Sequence, residues 1–113
     1  MEGDERESRV IVSHAPGMVF QYVLRESGRY TMPFASNQAL NVLGITAESL
    51  QMNPVLFEEI ILWKDRKSFR ESRAQSAETL STWNWEGRVW IESYHDVKWV
   101  SLRASPRREK GVG

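Results

Sequence analysis

Strand-like and helix-like patterns are segregated along this chain, and that segregation limits its fold more than any other feature. Runs rich in β-branched and aromatic residues lie at residues 18–24 and 30–34, and again at 82–91 and 97–106. Residues 36–80, between the two pairs, carry helix-capping residues and apolar residues at helical spacing. Single strands do not alternate with helices, so the sequence predicts an α+β domain with an antiparallel sheet.

The helical region divides into four pieces, each with its own start signal. Ser36, Thr46 and Asp65 are residue types that cap helices, and each precedes a stretch of helical spacing. Pro54 fits the first turn of the third piece. The predicted order is therefore two strands, four helices and two strands (ββ-αααα-ββ).

The length allows one core. With 113 residues, 41% of them apolar, the chain is expected to form one domain over residues 16–107. Residues 1–15 are predicted to be a polar segment that can form a helical cap over residues 5–12, and residues 108–113 a C-terminal tail.

No apolar run reaches the roughly 18 residues of a membrane span, which predicts a cytoplasmic fragment without membrane contact. A membrane anchor of a longer parent protein would lie elsewhere.

Composition argues against several kinds of chemistry. The chain has no cysteine, which excludes disulfides, thiolate metal sites and a cysteinyl–flavin adduct. No Ser-His-Asp spacing or Gly-rich phosphate loop is present, so we expect no catalytic residues, no metal site and no enzymatic activity. Fifteen basic residues balance fifteen acidic ones, which argues against nucleic acid as a partner.

Four short motifs together resemble the PAS domain, in particular the subgroup of bacterial sensor histidine kinases and cyclic-dinucleotide signalling enzymes. The resemblance covers most of residues 12–110. Its motifs are Pro16-Gly17-Met18-Val19; Phe34-Ala35-Ser36 with Leu43-Gly44-Ile45-Thr46; Trp83-Asn84-Trp85-Glu86-Gly87-Arg88; and Lys98-Trp99-Val100 with Ser105-Pro106. It implies helices packed on one face of the sheet, and a sheet with a fifth strand. No strand pattern follows residue 107, so the fifth strand is expected to be missing or truncated.

The resemblance also implies a ligand pocket on the inner face of the sheet. The residues it places there are Val19, Gln21, Met32, Phe34, Arg88, Trp90, Val100 and Leu102. The alternative is that the large side chains of this set fill the core and leave no space for a ligand. His14 and His95 are not on the longest helix, where haem-binding relatives carry the iron ligand, so neither haem nor any other cofactor is expected.

An exposed aromatic face is predicted for homodimerisation. Its candidate residues are Phe20, Tyr22, Trp83, Trp85 and Trp99. The resemblance implies a sensory, signal-transduction module that binds a small ligand or partner. As a homodimer, it would relay the signal to an adjacent effector domain in the same chain, such as a histidine kinase or a diguanylate cyclase. The alternatives are a ligand-free dimerisation scaffold with a filled core, and an enzyme or ligand carrier of another curled-sheet fold.

Overall fold

The computed structural model describes residues 7–15 and 17–110 as an α+β domain built on a five-stranded antiparallel sheet. The strands are β1 (Glu7–Ala15), β2 (Met18–Leu24), β3 (Tyr30–Ala35), β4 (Trp83–Ile91) and β5 (Asp96–Lys110). Their order across the open sheet is β3-β2-β1-β5-β4. The predicted order ββ-αααα-ββ is therefore wrong, because a further strand precedes the two that the sequence indicated.

The additional strand, β1, lies at the centre of the sheet. It pairs antiparallel with β2 through Ala15 and Met18 at one end, and with β5 through Glu7 and Lys110 at the other. Residues 7–12 are thus strand where a helical cap was predicted, and β5 continues through three residues of the predicted tail. Residues 1–6 and 111–113, the remainder of those two predicted segments, lie outside the described residues.

Strand β1 does not show the alternation of a half-buried strand, because residues on both of its faces are buried. Val10 and Ile11 are adjacent and point to opposite faces, yet both are buried. Gly17 joins β1 to β2 with a φ of +86°, a conformation that glycine adopts at little cost. Gly17 therefore forms part of a tight hairpin turn between the two strands.

Four helices connect β3 to β4 and pack on one face of the sheet. They are α1 (Ala39–Leu43), α2 (Ala47–Met52), α3 (Val55–Ile60) and α4 (Trp63–Thr79), and a 3-10 turn, Glu92–Tyr94, joins β4 to β5. The Thr46 side chain caps α2 as predicted, accepting a hydrogen bond from Ser49 N at 3.1 Å. Asp65 does not cap α4, because that helix begins two residues earlier and the Asp65 carboxylate binds Arg88 instead.

Aromatic rings fill the space between the helices and the sheet. The Phe69 ring contacts Trp83 and Trp85, with ring centroids 5.3 and 5.0 Å apart, and Phe57 contacts Phe20 at 5.4 Å. Edge-to-face pairs at these distances add to the free energy of burying the rings. The centre of the domain is therefore a packed core.

Candidate functional site

Helix α4 carries an arginine on the face that packs against the core. Arg73 lies one turn after Phe69 and one turn before Ala77, and all three residues are buried. Only 5% of Arg73 is exposed. A buried cation is costly unless other groups compensate for the lost hydration, so its surroundings indicate what the site can do.

Three aromatic rings surround the Arg73 guanidinium. Its Cζ lies 3.8 Å from the ring centre of Tyr30 and 5.1 Å from those of Tyr22 and Phe69. The faces of aromatic rings attract cations, more strongly where water is excluded. Strands β2 and β3 and helix α4 thus jointly hold the guanidinium in place.

Glu58 on α3 supplies the compensating negative charge. Arg73 Nη1 donates a hydrogen bond to Glu58 Oε2 at 3.2 Å. Arg70 lies on the outer side of the same carboxylate, 3.8 Å from Oε1, and is far more exposed. Glu58 therefore bridges two arginines, one buried and one at the surface.

Among the residues that the structure describes, two polar atoms beside this ion pair have no hydrogen-bond partner. Arg73 Nε and the Tyr22 hydroxyl are both buried and both unsatisfied. Burial raises the pKa of Tyr22, and it also raises the pKa of Tyr30, although the charge of Arg73 lowers both in part. Both hydroxyls are thus protonated at neutral pH. An unsatisfied buried donor costs free energy that an incoming acceptor would recover.

These residues form the inner end of a cleft of about 300 Å³ that opens to solvent. Its walls come from β2, the β2–β3 turn, β3, the helices α2 and α3 with the connection between them, and α4. The lining residues are Tyr22, Arg29, Tyr30, Thr31, Gln51, Met52, Asn53, Pro54, Val55, Glu58 and Arg73. More than half of these lining residues have polar or charged side chains, and the volume is at the lower end of the range for small-ligand sites.

The predicted pocket residues lie on both faces of the sheet instead of around one cavity. Met32, Val100 and Leu102 are in the core, as expected of inward positions. The remaining five lie on the face away from the helices or at its edge, so their predicted inward orientation is wrong: Val19, Gln21, Phe34, Arg88 and Trp90. Phe34 is 46% exposed. None of the eight lines the Arg73 cleft.

The predicted interface residues are mostly buried. Phe20, Tyr22, Trp83 and Trp85 belong to the core, because their positions on β2 and β4 face the helices. The prediction that they form an exposed aromatic face is therefore wrong. Trp99 is the exception, with 63% of its surface exposed on the face that the helices leave open.

Arg88 binds a carboxylate, but that carboxylate belongs to the chain itself. Arg88 Nε and Nη2 donate to the two Asp65 carboxylate oxygens at 3.0 Å each, and Arg88 N donates to Oδ2 at 2.9 Å. These hydrogen bonds lower the pKa of Asp65 below its usual range. Leu62 N also donates to Arg88 O, and Ile61 pairs with Val89, so the α3–α4 connection covers part of the β4 edge.

The sequence contained a signal for the cleft that our reading missed. The apolar positions of the fourth helix include Phe69 and Ala77, and Arg73 lies midway between them at helical spacing. An arginine inside an apolar stripe faces the core, where its charge needs buried partners. Tyr30 and Glu58 are those partners here, although their positions in sequence do not reveal the contact.

Within residues 7–15 and 17–110, no three His, Asp or Glu side chains cluster as metal ligands would. In the same part of the chain, no helix has the length and apolar character needed to cross a membrane.

Comparison of this chain with protein-family models, with curated proteins and with solved structures finds no match.

Proposed function

We propose that this chain is a sensory module of the PAS type that binds a small ligand in the Arg73 cleft and relays its occupancy to an effector domain of a larger protein. One observation carries the proposal: a solvent-connected cleft is lined at its buried end by Arg73 and Tyr22, whose Nε and hydroxyl have no hydrogen-bond partner among the described residues. A site that served stability alone would gain from partners for these groups. The chemistry at this end is recognition, not catalysis.

The position of the cleft supports relay as well as binding. Its walls include β2, β3, α2, α3 and α4, so a bound ligand would contact both the sheet and three of the four helices. A bound ligand shifts a conformational equilibrium only if it contacts two arrangements unequally. The Glu58–Arg73 pair, which joins α3 to α4, is the contact that such a ligand would alter.

Native mass spectrometry tests this function. The protein is incubated with cell extract, purified again and weighed under native and denaturing conditions. We expect a reproducible small-molecule adduct that is lost on denaturation and absent from Val55→Trp, which fills the cleft mouth. Leu40→Trp is the matched control, because Leu40 is similarly exposed on a helix but is not among the residues that line the cleft. A clean protein mass in every sample would contradict ligand binding.

A second candidate is a dimerisation scaffold that binds no ligand. The packed aromatic core favours it, as does the exposed Trp99, which lies on the open sheet face together with Val97. Exposed aromatic side chains on a sheet are common at interfaces. Analytical ultracentrifugation tests it: a concentration-dependent dimer that Trp99→Gln weakens supports the scaffold, and a monomer at all concentrations contradicts it.

A further inference from the structure

We infer that the ligand of the Arg73 cleft is a small molecule with one carboxylate next to an apolar group. This inference rests on the proposed ligand-binding function and adds the chemical class of the ligand. It follows from the donors at the inner end of the cleft, from the charges of its walls, and from the apolar residues at its mouth.

The unused hydrogen-bonding groups favour an acceptor. The Arg73 guanidinium donates from Nη1 to Glu58 Oε2. Arg73 Nε and the Tyr22 hydroxyl are the unsatisfied groups. A protonated hydroxyl and a guanidinium N–H both donate, and a carboxylate offers two acceptor oxygens with a spacing that matches a guanidinium.

The charge balance favours a single negative charge. Among the described residues, Arg29 and Arg73 line the cleft, and Glu58 is the one acidic residue that does so. The walls therefore carry one net positive charge. A carboxylate monoanion neutralises that charge, whereas a phosphate dianion would leave an excess negative charge close to Glu58.

The mouth of the cleft favours an apolar group on the same molecule. Met52 is 86% exposed and Val55 is 48% exposed, and Pro54 lies between them in the chain. A ligand that covers these side chains would remove their apolar surface from water. Since the cleft has about 300 Å³, at the lower end of the range for ligand sites, the molecule must be small.

Two pairs of probes separate charge from shape. Benzoate and hexanoate are titrated into the ¹⁵N-labelled protein in parallel with benzamide and hexanamide, which have nearly the same shape but no charge. We expect the two acids to shift the backbone amides of Gln51, Met52, Asn53 and Val55, since Pro54 has no N–H. We also expect the acids to bind at least about tenfold more tightly than the two amides, since hydrogen bonds to charged groups are the stronger ones.

Three variants assign the effect to the cleft. Arg73→Gln should weaken benzoate binding at least about tenfold, whereas Arg70→Gln, which also loses an arginine next to Glu58 but lies outside the cleft lining, should stay within about twofold of the unmodified protein. Glu58→Gln should bind benzoate at least about threefold more tightly, because it removes the competing charge. If Arg73→Gln does not fold, the acid–amide comparison and Glu58→Gln decide the result.

The outcomes separate this inference from the proposed function. Amides that bind in the cleft as tightly as the acids would overturn the carboxylate assignment and leave ligand binding in place. Acids that shift only the amide signals of residues outside the cleft would also overturn the carboxylate assignment. The same holds if none of the four probes shifts any amide signal while the adduct from cell extract is still observed. The absence of both shift and adduct would overturn the inference and the proposed function together.

Discussion

The indole ring of Trp85 occupies the space that a side chain at Gly87 would need. The two residues are neighbours on the helix-facing side of β4, and a Cβ on Gly87 would overlap Cζ2 of the Trp85 ring. Trp85 Nε1 donates to Ser68 Oγ at 3.0 Å, and Trp83 Nε1 donates to Ser72 Oγ at 2.8 Å. Two tryptophans on a strand thus bind two serines one helical turn apart, which fixes α4 against β4.

Gly87→Ala should therefore displace the Trp85 ring and lower the free energy of unfolding by about 1–3 kcal/mol, the usual cost of overpacking a core. Urea unfolding followed by tryptophan fluorescence measures it. In a Trp85→Leu background the same substitution should cost less than 1 kcal/mol or so, because the ring that it displaces is gone. An equal cost in both backgrounds would show that the ring is not the obstacle.

Tyr22→Phe should not destabilise the ligand-free protein, although Tyr22 is fully buried. The substitution removes a hydroxyl that has no hydrogen-bond partner, so the cost of burying that hydroxyl disappears. We expect the free energy of unfolding to rise by up to about 1 kcal/mol. A loss of 1 kcal/mol or so on chemical denaturation would mean that the hydroxyl is hydrogen-bonded in solution.

Glu58→Ala should cost about 3 kcal/mol, because it leaves the buried Arg73 guanidinium without its counter-charge. Arg70→Ala removes the outer member of the same cluster and should cost no more than about 1 kcal/mol, since Arg70 is solvent-exposed. The two variants are compared by thermal and urea unfolding at the same pH. Equal costs would show that burial does not distinguish the two arginines.

The Asp65–Arg88 pair should make stability depend on pH. The pKa of Asp65 is lower in the folded protein than in the unfolded chain, so the unfolded chain binds more protons at acidic pH. The stabilisation is thus present above the unfolded pKa, near 4, and is lost as the pH falls toward the lower folded pKa.

Asp65→Asn should accordingly destabilise the protein at pH 7 and have a progressively smaller effect below about pH 4. Urea unfolding at pH 7, 5, 4 and 3 follows the difference from the unmodified protein. Arg88→Gln should reduce stability at pH 7, and the double variant should lose less than the sum of the two single variants. A difference that stays constant from pH 7 to pH 3 would contradict this linkage.

The α+β class and the positions of the elements from β2 to β5 could be predicted because their signals are local. Capping by Thr46 and the left-handed Gly44 at the end of α1 are examples. Strand β1 could not be recognised in the same way. A central strand is buried on both faces, and here its apolar core is only Val10 to Val12 between charged and polar residues.

The inward and outward faces were assigned wrongly for two different reasons. On β2, both Phe20 and Val23 are buried on opposite faces, so the sequence of that strand does not fix its phase, and a slip of one residue exchanges the faces. On β4 the alternation is clear: Trp83, Trp85 and Val89 share the buried face. There the resemblance placed Trp90 inward against the period of two in the residues themselves.

The candidate cleft depends on contacts that sequence distance hides. Arg73 meets Tyr30 from a strand more than forty residues earlier in the chain, and Glu58 from the preceding helix. The arginine within an apolar stripe was visible in the sequence, and it could have been flagged as a buried charge. Its aromatic and acidic partners could be identified only from the three-dimensional structure.

The pairing of Glu7 with Lys110 places the first and last described residues of the domain side by side. Strands β1 and β5 run antiparallel, and Glu7 and Lys110 lie at the same end of the pair. A force that pulls these two residues apart would therefore break the hydrogen bonds between the strands one after another, instead of loading all of them at once in shear. Tension on the ends would therefore open the middle of the sheet first. A pulling force on the domain ends would thus act first on the pair of strands at the centre of the sheet, not on its edges.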